Sequence, residues 1–337
     1  MPLQRFLNTV PTVKTTLVHV SEPEKTRQRW GGIFRRVCRG FEYLPRLFVT
    51  APAFSRILRL IFQPKMFWLL GHQPALPFKY LSKFYVSRSL STDQRAVALH
   101  HHYMFFGDVW RDDFRKQLAF DRALIFEHYT PTAYFNIQLA IASAAVKEGE
   151  LSLYFQMNHV DLYQVSFSFV PGSIAGLGAE TVVFVSRIQG VKHNFSDIRD
   201  ATKALFDIAP PTLLLAALQG IAKALGISDM LGIPAADLVG SSHENATELS
   251  SSYDAFFQAI GAIRQGAFYV CRLPLAEKPI TLIKPGHRCR TQKKRRFKNA
   301  VIDIVANHMI DIAAAPRFTL SAESTVIQPD PHFALNF

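Results

Sequence analysis

Between Tyr134 and Gly190 the chain runs through four apolar stretches in quick succession: YFNIQLAIA, GELSLYFQM, LYQVSFSFV and TVVFVSRIQG. Apolar and polar residues alternate in ELSLYF and QVSFSF, and β-branched and aromatic residues dominate all four. Side chains of a strand point alternately to opposite faces, so a period of two with short polar connections predicts antiparallel strands in a meander. This run constrains the fold more than any other feature, because four sequential strands must form the middle of a sheet that the flanking segments cover.

Those flanks read as helices. After the fourth strand, SDIRDATKALFDIAPPTLLLAALQGIAKALG predicts two helices, the first capped by Ser196 or Asp197 and the second starting beside Pro211. ISDMLGIPA reads as a fifth strand, SSYDAFFQAIGAI as a helix and GAFYVCRLPL as a further strand. RTQKKRRFKNAVIDIVANHMIDIAA reads as a last helix with a basic start. Ahead of the sheet, apolar spacing from Ala51 to about Arg122 is helical, with Ser91 or Thr92 as a cap. The expected class is α/β in the α+β manner, a mainly antiparallel central sheet flanked by helices. The expected parts are a loosely held basic lead-in (1–50), a helical layer (51–122), an α/β core with a basic C-terminal helix (123–312) and a tail (313–337).

Charge narrows the partners. The formal net charge is +12, and the excess lies near the two ends rather than in the middle. Such asymmetry favours phosphate-bearing partners. Cys38, Cys271 and Cys289 are odd in number and lack metal-ligand spacing, which argues for a reducing compartment and against a zinc site. No secretory pattern opens the chain, and no apolar run reaches the roughly 18 residues needed to span a bilayer. The sequence therefore reads as cytoplasmic, with peripheral contact at the inner face of the inner membrane. FSRILRLIFQPKMFWLLG mixes cations with Leu, Ile, Phe and Trp and is broken by Pro64, so it either lies on a bilayer or packs as a core helix pair with snorkelling cations.

Six separated segments, KEGELSLYF, VSFSFV, VFVSRIQG, IRDATKALFDIAPPTLLLAAL, SYDAFFQAIGA and KKRRFKNAVID, resemble in order the signatures of the bacterial VirK/YbjX family. The resemblance covers roughly Phe120 to Ile304, with a looser likeness back to about Leu60. It implies an accessory role in the Gram-negative envelope or in virulence, such as surface protein presentation or resistance to cationic antimicrobial peptides. It carries over no catalytic residue. At the level of fold, four antiparallel strands, a turn, a helix, a fifth strand and another helix resemble the GCN5-related N-acetyltransferases. That likeness implies acyl-CoA or an acyl-carrier protein as donor, held where backbone N–H groups after the fourth strand meet a helix N-terminus. Arg187, Gln189, Gly190 and Lys192 would form this cradle, although the superfamily's Gly-x-Gly pair is absent here. The alternative is a plain connection in which Gly190 supplies a permissive backbone conformation.

Three further clusters invite chemistry. His243 and Glu244 in GSSHEN pair a titratable base with a carboxylate in a polar loop, suited to general-base work on an acceptor; the alternative is helix-capping or surface residues. HHHY, residues 100–103, spreads its histidines around a helix rather than along one face, so no metal is expected. Lys293, Lys294, Arg295 and Arg296 are the centre of a run with seven cations in the eleven residues from Arg288 to Lys298. Anionic lipid suits this cluster better than nucleic acid, since aromatic interleaving stops at Phe297 and no DNA-binding motif accompanies it. The functional expectation is thus an envelope accessory protein with acyl-transfer chemistry, set against a non-enzymatic membrane- or partner-docking module and, third, a nucleic-acid binder.

Overall fold

The computed structural model describes residues 49–142, 148–191, 194–239 and 246–314, with the side chains of 246–252 left out. The expected lead-in and tail lie outside those residues except at their inner ends. The described residues from Thr50 onward form one compact unit.

Helices come first. α1 (Ala51–Ile61) starts on Pro52 and buries Ile57, Leu60 and Ile61, an i, i+3, i+4 stripe that faces the interior. The short α2 (Leu69–His72) and a 3-10 turn (Leu76–Leu81) lead to α3 (Thr92–Val109). Ser91 caps α3 in a full capping box with Gln94, as one of the two expected caps. α3 is buried on most sides, and it takes Arg95 inside by letting the guanidinium donate to the carbonyls of Tyr80 (2.9 Å) and Leu90 (2.6 Å). α4 (Asp112–Phe120) comes next and ends at the sheet.

The sheet is mixed but mostly antiparallel. Its strands are β1 (Ala123–Tyr129), β2 (Tyr134–Ile141), β3 (Leu151–Met157), β4 (Val160–Val170) and β5 (Val182–Gly190). The connection after β5 carries α5 (Phe195–Ala204) and α6 (Pro210–Ala224) to β6 (Asp229–Gly232). Then come α7 (Ala246–Ala259), β7 (Ile263–Gln265), β8 (Phe268–Arg272) and α8 (Pro285–Asp311). Among the described residues the order across the sheet is β1-β2-β3-β4-β5-β6-β8-β7. β1 to β5 form the expected meander, extended by one strand at its start. β3 and β4 meet through a two-residue turn at Asn158 and His159, both at positive φ, which matches the twist of the strands they join. β6 pairs with β5 in parallel, the one parallel junction among the described strands, reached through the α5–α6 crossover.

Two helical layers cover the sheet. Phe169 of β4 sits 4.9–5.9 Å, centroid to centroid, from His102, Phe105 and Trp110, so α3 closes over the strand through aromatic contacts. Burying rings of this size stabilises by about 1.5–3 kcal/mol each. α6 packs on β3, β4 and β5, and α8 packs on α6 and β1. Gly220 permits the α6–α8 approach, since a Cβ there would stand 2.6 Å from the Ile302 carbonyl.

Three expectations need correction. α5 begins at Phe195 with Asn194 at the cap, not at Ser196 or Asp197; Asn194 spends its amide on the Asp161 carbonyl at 3.1 Å. The last helix begins at Pro285, because Pro fits the first turn, so Lys293 to Arg296 lie two to three turns inside it rather than at its start. Gln189 and Gly190 form no turn: they remain in β5, paired with Gln164 and Tyr163 of β4.

Candidate functional site

β5 has two unlike halves. Val182 to Val185 are buried and flanked on both sides, by β4 and by β6 through the pairs Val183–Met230, Phe184–Leu231 and Val185–Gly232. The ladder gains one more bond, Ile233 N–H to the Val185 carbonyl at 3.3 Å, and then meets Pro234, which has no N–H to continue it. From Ser186 to Gly190 the strand keeps β4 but has no strand neighbour on the β6 side among the described residues.

Polar groups gather beside this second half. Ser186, fully buried, donates its hydroxyl to the Glu148 carbonyl and lies 3.3 Å from that of Ser166. The Arg187 guanidinium is ion-paired to the Glu148 carboxylate; the Glu148 side chain is 8% exposed and that of Arg187 29%. Gly149, at φ +151°, makes the crossing possible, since a Cβ would stand 2.9 Å from the Phe167 nitrogen. From α7 comes Tyr253, whose buried hydroxyl has no hydrogen-bond partner among the described residues. Burial first, then the Glu148 and Asp254 carboxylates, push its phenol well above the ordinary value, with Arg187 opposing. It is therefore a neutral donor at any physiological pH. Asp254 fixes this end of α7 by accepting from the Ala235 N–H at 2.9 Å, and the Phe257 ring lies over Gly232 where a side chain would otherwise be.

The sequence-derived candidates fare unevenly against this geometry. Arg187 is at the site but committed to Glu148, so it is no free phosphate ligand. Gly190 has no positive φ; its role is close approach, because a Cβ would stand 3.0 Å from the Tyr163 ring and 3.5 Å from Ile198. That observation overturns the permissive-conformation reading of Gly190, and the expected turn is instead the end of β5. Gln189 borders the open strand edge. Lys192, His243 and Glu244 lie outside the described residues. Glu148, Ser186 and Tyr253 were missed by the sequence reading; the usable signal was Glu148 and Glu150 bracketing Gly149 at the mouth of an apolar strand.

The histidines serve packing. His102 is buried, accepts the Phe169 N–H on Nδ1 at 3.1 Å, and is held well below the ordinary imidazole range by burial, then by Lys79 and His101. His101 meets the Thr181 hydroxyl at 3.0 Å, while His100 lines a surface cleft of about 240 Å³ with Arg56. A second cleft, about 410 Å³, lies between α6 and α8, and neither cleft is lined by a residue of β5. Among the described residues no three His, Cys, Asp or Glu side chains converge as metal ligands.

The basic run on α8 is largely paired within the chain, although it stays at the surface. Arg290 pairs with Asp207, Lys294 donates to the Asp207 carbonyl at 2.8 Å, and Glu277 takes both Arg295 (2.9 Å) and Lys298 (2.7 Å). Arg288, Arg290, Lys293 and Arg296 are exposed. The helix dipole has little bearing on them, since its effect fades within the first turn.

Among the described residues no helix is long and apolar enough to cross a membrane. No curated protein matches the sequence significantly. Residues 32–307 match the family model described as protein of unknown function (DUF535), and the chain belongs to that family, the one whose ordered segments read in the sequence as VirK/YbjX-like.

Proposed function

We propose that this protein is an acyltransferase that draws on acyl-CoA or an acyl-carrier protein and serves the envelope or virulence functions associated with its family. One observation supports the reading: β5 and β6 form a parallel junction over three residue pairs, after which β5 runs on to Gly190 with no strand on its outer edge among the described residues. An extended, amide-bearing chain can add to such an edge by backbone hydrogen bonds, and the arm of an acyl donor is such a chain. The donor supplies the activated thioester; the protein supplies position and proton transfer.

Glu148 is the residue suited to take the proton from the acceptor's nucleophile as it attacks the acyl carbon. It is buried and oriented by Arg187, in the way a base is held by a third group. Tyr253 is suited to give a proton to the departing sulfur, because its neutral, unpartnered hydroxyl belongs to the same cluster. The proton count closes: one is accepted at Glu148, one is given at Tyr253, and exchange with solvent resets both.

Native mass spectrometry of the purified protein, alone and with acetyl-CoA or palmitoyl-CoA, tests this reading. A one-to-one adduct that persists in Tyr253→Phe, while transfer falls, is the expected result. Absence of any adduct with either donor or with acyl-carrier protein removes the proposal.

A further inference from the structure

A different part of the molecule points to a different partner. The turn joining α1 to α2 exposes Phe62 and Phe67 at 57% and 53%, their rings 5.7 Å apart. Trp68, next in the chain, lies 6.3 Å from Phe120, itself 74% exposed at the end of α4. Apolar rings on a surface call for an explanation when they cluster. Of the seven exposed phenylalanines among the described residues, Phe62, Phe67, Phe78, Phe84 and Phe120 all belong to this helical layer.

The turn is built firmly. Met66 and Leu69 are fully buried beneath it, the N–H groups of Met66 and Phe67 both donate to the Gln63 carbonyl, and the Trp68 indole donates to the Lys65 carbonyl at 3.1 Å. These donors are already bonded within the protein, so they lose no partner when the rings leave water. Charge decides between occupants. From residue 43 to residue 92 the sequence contains no Asp or Glu, and Arg56, Arg59 and Lys83 are exposed, whereas Lys65, also exposed, is paired with Asp108 at 2.7 Å. Rings carried on a firm turn, in a chain segment that brings exposed Arg56 and Arg59 and no acid of its own, match the headgroup zone of an anionic bilayer, where rings enter the acyl boundary and cations stay with phosphate.

We propose that the turn from Phe62 to Trp68 is a membrane-interface contact that seats on anionic phospholipid. It revises the sequence alternatives for this segment: Ile57, Leu60, Ile61, Met66 and Leu69 do form core, and Phe62 and Phe67 are left over for the bilayer. The inference does not depend on acyl transfer.

Flotation of the full chain with vesicles of phosphatidylcholine, with and without phosphatidylglycerol, tests it. The expected result is binding that requires phosphatidylglycerol and drops by about tenfold or more in Phe62→Ser/Phe67→Ser with the thermal midpoint kept. Arg59→Gln should weaken it by about fivefold, the factor for one surface cation. Phe67→Ser alone replaces the double variant should that fail to fold. Absence of binding by the parent, or binding by the double variant within about twofold of it, overturns the proposal. So does a dimer of the parent that the double variant abolishes without any vesicle binding, which assigns the patch to a second copy.

Discussion

Glu148 and Glu150 stand either side of Gly149, are both buried, and live in opposite circumstances. Glu150 is sealed: Lys79 donates to both its oxygens at 2.9 and 2.8 Å, the Tyr103 hydroxyl donates to one of them, and Lys79 is held in turn by Gln73 at 3.0 Å. Gln73 passes the chain on to the Ala142 carbonyl at 2.8 Å, so the network pins the helical layer to the sheet. Glu148 has one partner, Arg187, which reaches solvent, and a neighbouring phenol with nothing to bond. A buried ion pair shut off from water is a structural clamp, even with the unpartnered Tyr85 hydroxyl beside it; what separates the two sites is access to solvent. An ion pair at the edge of a sheet, beside an orphaned donor, is an arrangement with capacity left for a ligand. One residue of sequence separates the two roles.

The largest expected effect breaks the clamp. Glu150→Ala strands the Lys79 ammonium and the Tyr103 hydroxyl in the interior and should destabilise by about 3–5 kcal/mol in denaturant unfolding. Adding Lys79→Met should recover much of that loss, because the unpaired charge goes too. A single variant within about 1 kcal/mol of the parent would erase the distinction between the two glutamates.

Glu148→Gln should do the reverse. Stability should change by about 1–2 kcal/mol or less, since Arg187 keeps access to water and the Gln can still accept. The rate of acyl transfer should fall by about 10²–10⁴-fold. His243→Ala provides the rival arm: should it, and not Glu148→Gln, abolish transfer while donor binding persists, the base lies in the loop that carries His243 instead.

The smallest effect concerns pH. His102, packed against the clamp, has a folded pKa depressed by burial, so the unfolded chain binds the proton first as pH falls below about 6.5. Stability is therefore full above that pH and declines as pH falls toward the folded pKa, by about 1.4 kcal/mol for each unit of depression. Thermal midpoints from pH 7.5 down to 5.5 should show this decline, and His102→Asn should flatten it. A midpoint that rises toward acid would have the sign wrong.

The sheet was legible in the sequence because β3 and β4 carry alternating stretches and β2 and β5 are short runs rich in β-branched and aromatic residues, signals that survive without tertiary information. β1 was not, since a bulge between Leu124 and Phe126 breaks the alternation over a strand of seven residues. β7, at three residues, is too short to show a period. The site was less legible for a physical reason. Arg187, Gln189 and Gly190 mark the right strand, but the strand's free edge comes from where β6 stops, and that depends on Pro234 some forty-five residues on. Tyr253 is an ordinary helix aromatic in sequence; only packing leaves its hydroxyl unpaired. The basic run looked free because Asp207 and Glu277, which neutralise much of it, are distant in the chain.

Hydrogen exchange along β5 tests the central claim most directly. Amides from Val183 to Val185 lie between two strands, whereas those from Ser186 to Gly190 border the open edge. Saturating acyl donor should slow exchange in the 186–190 segment and leave the already protected 183–185 segment unchanged. Unaltered exchange from Ser186 to Gly190, with donor bound by mass, would place the ligand elsewhere and contradict the account.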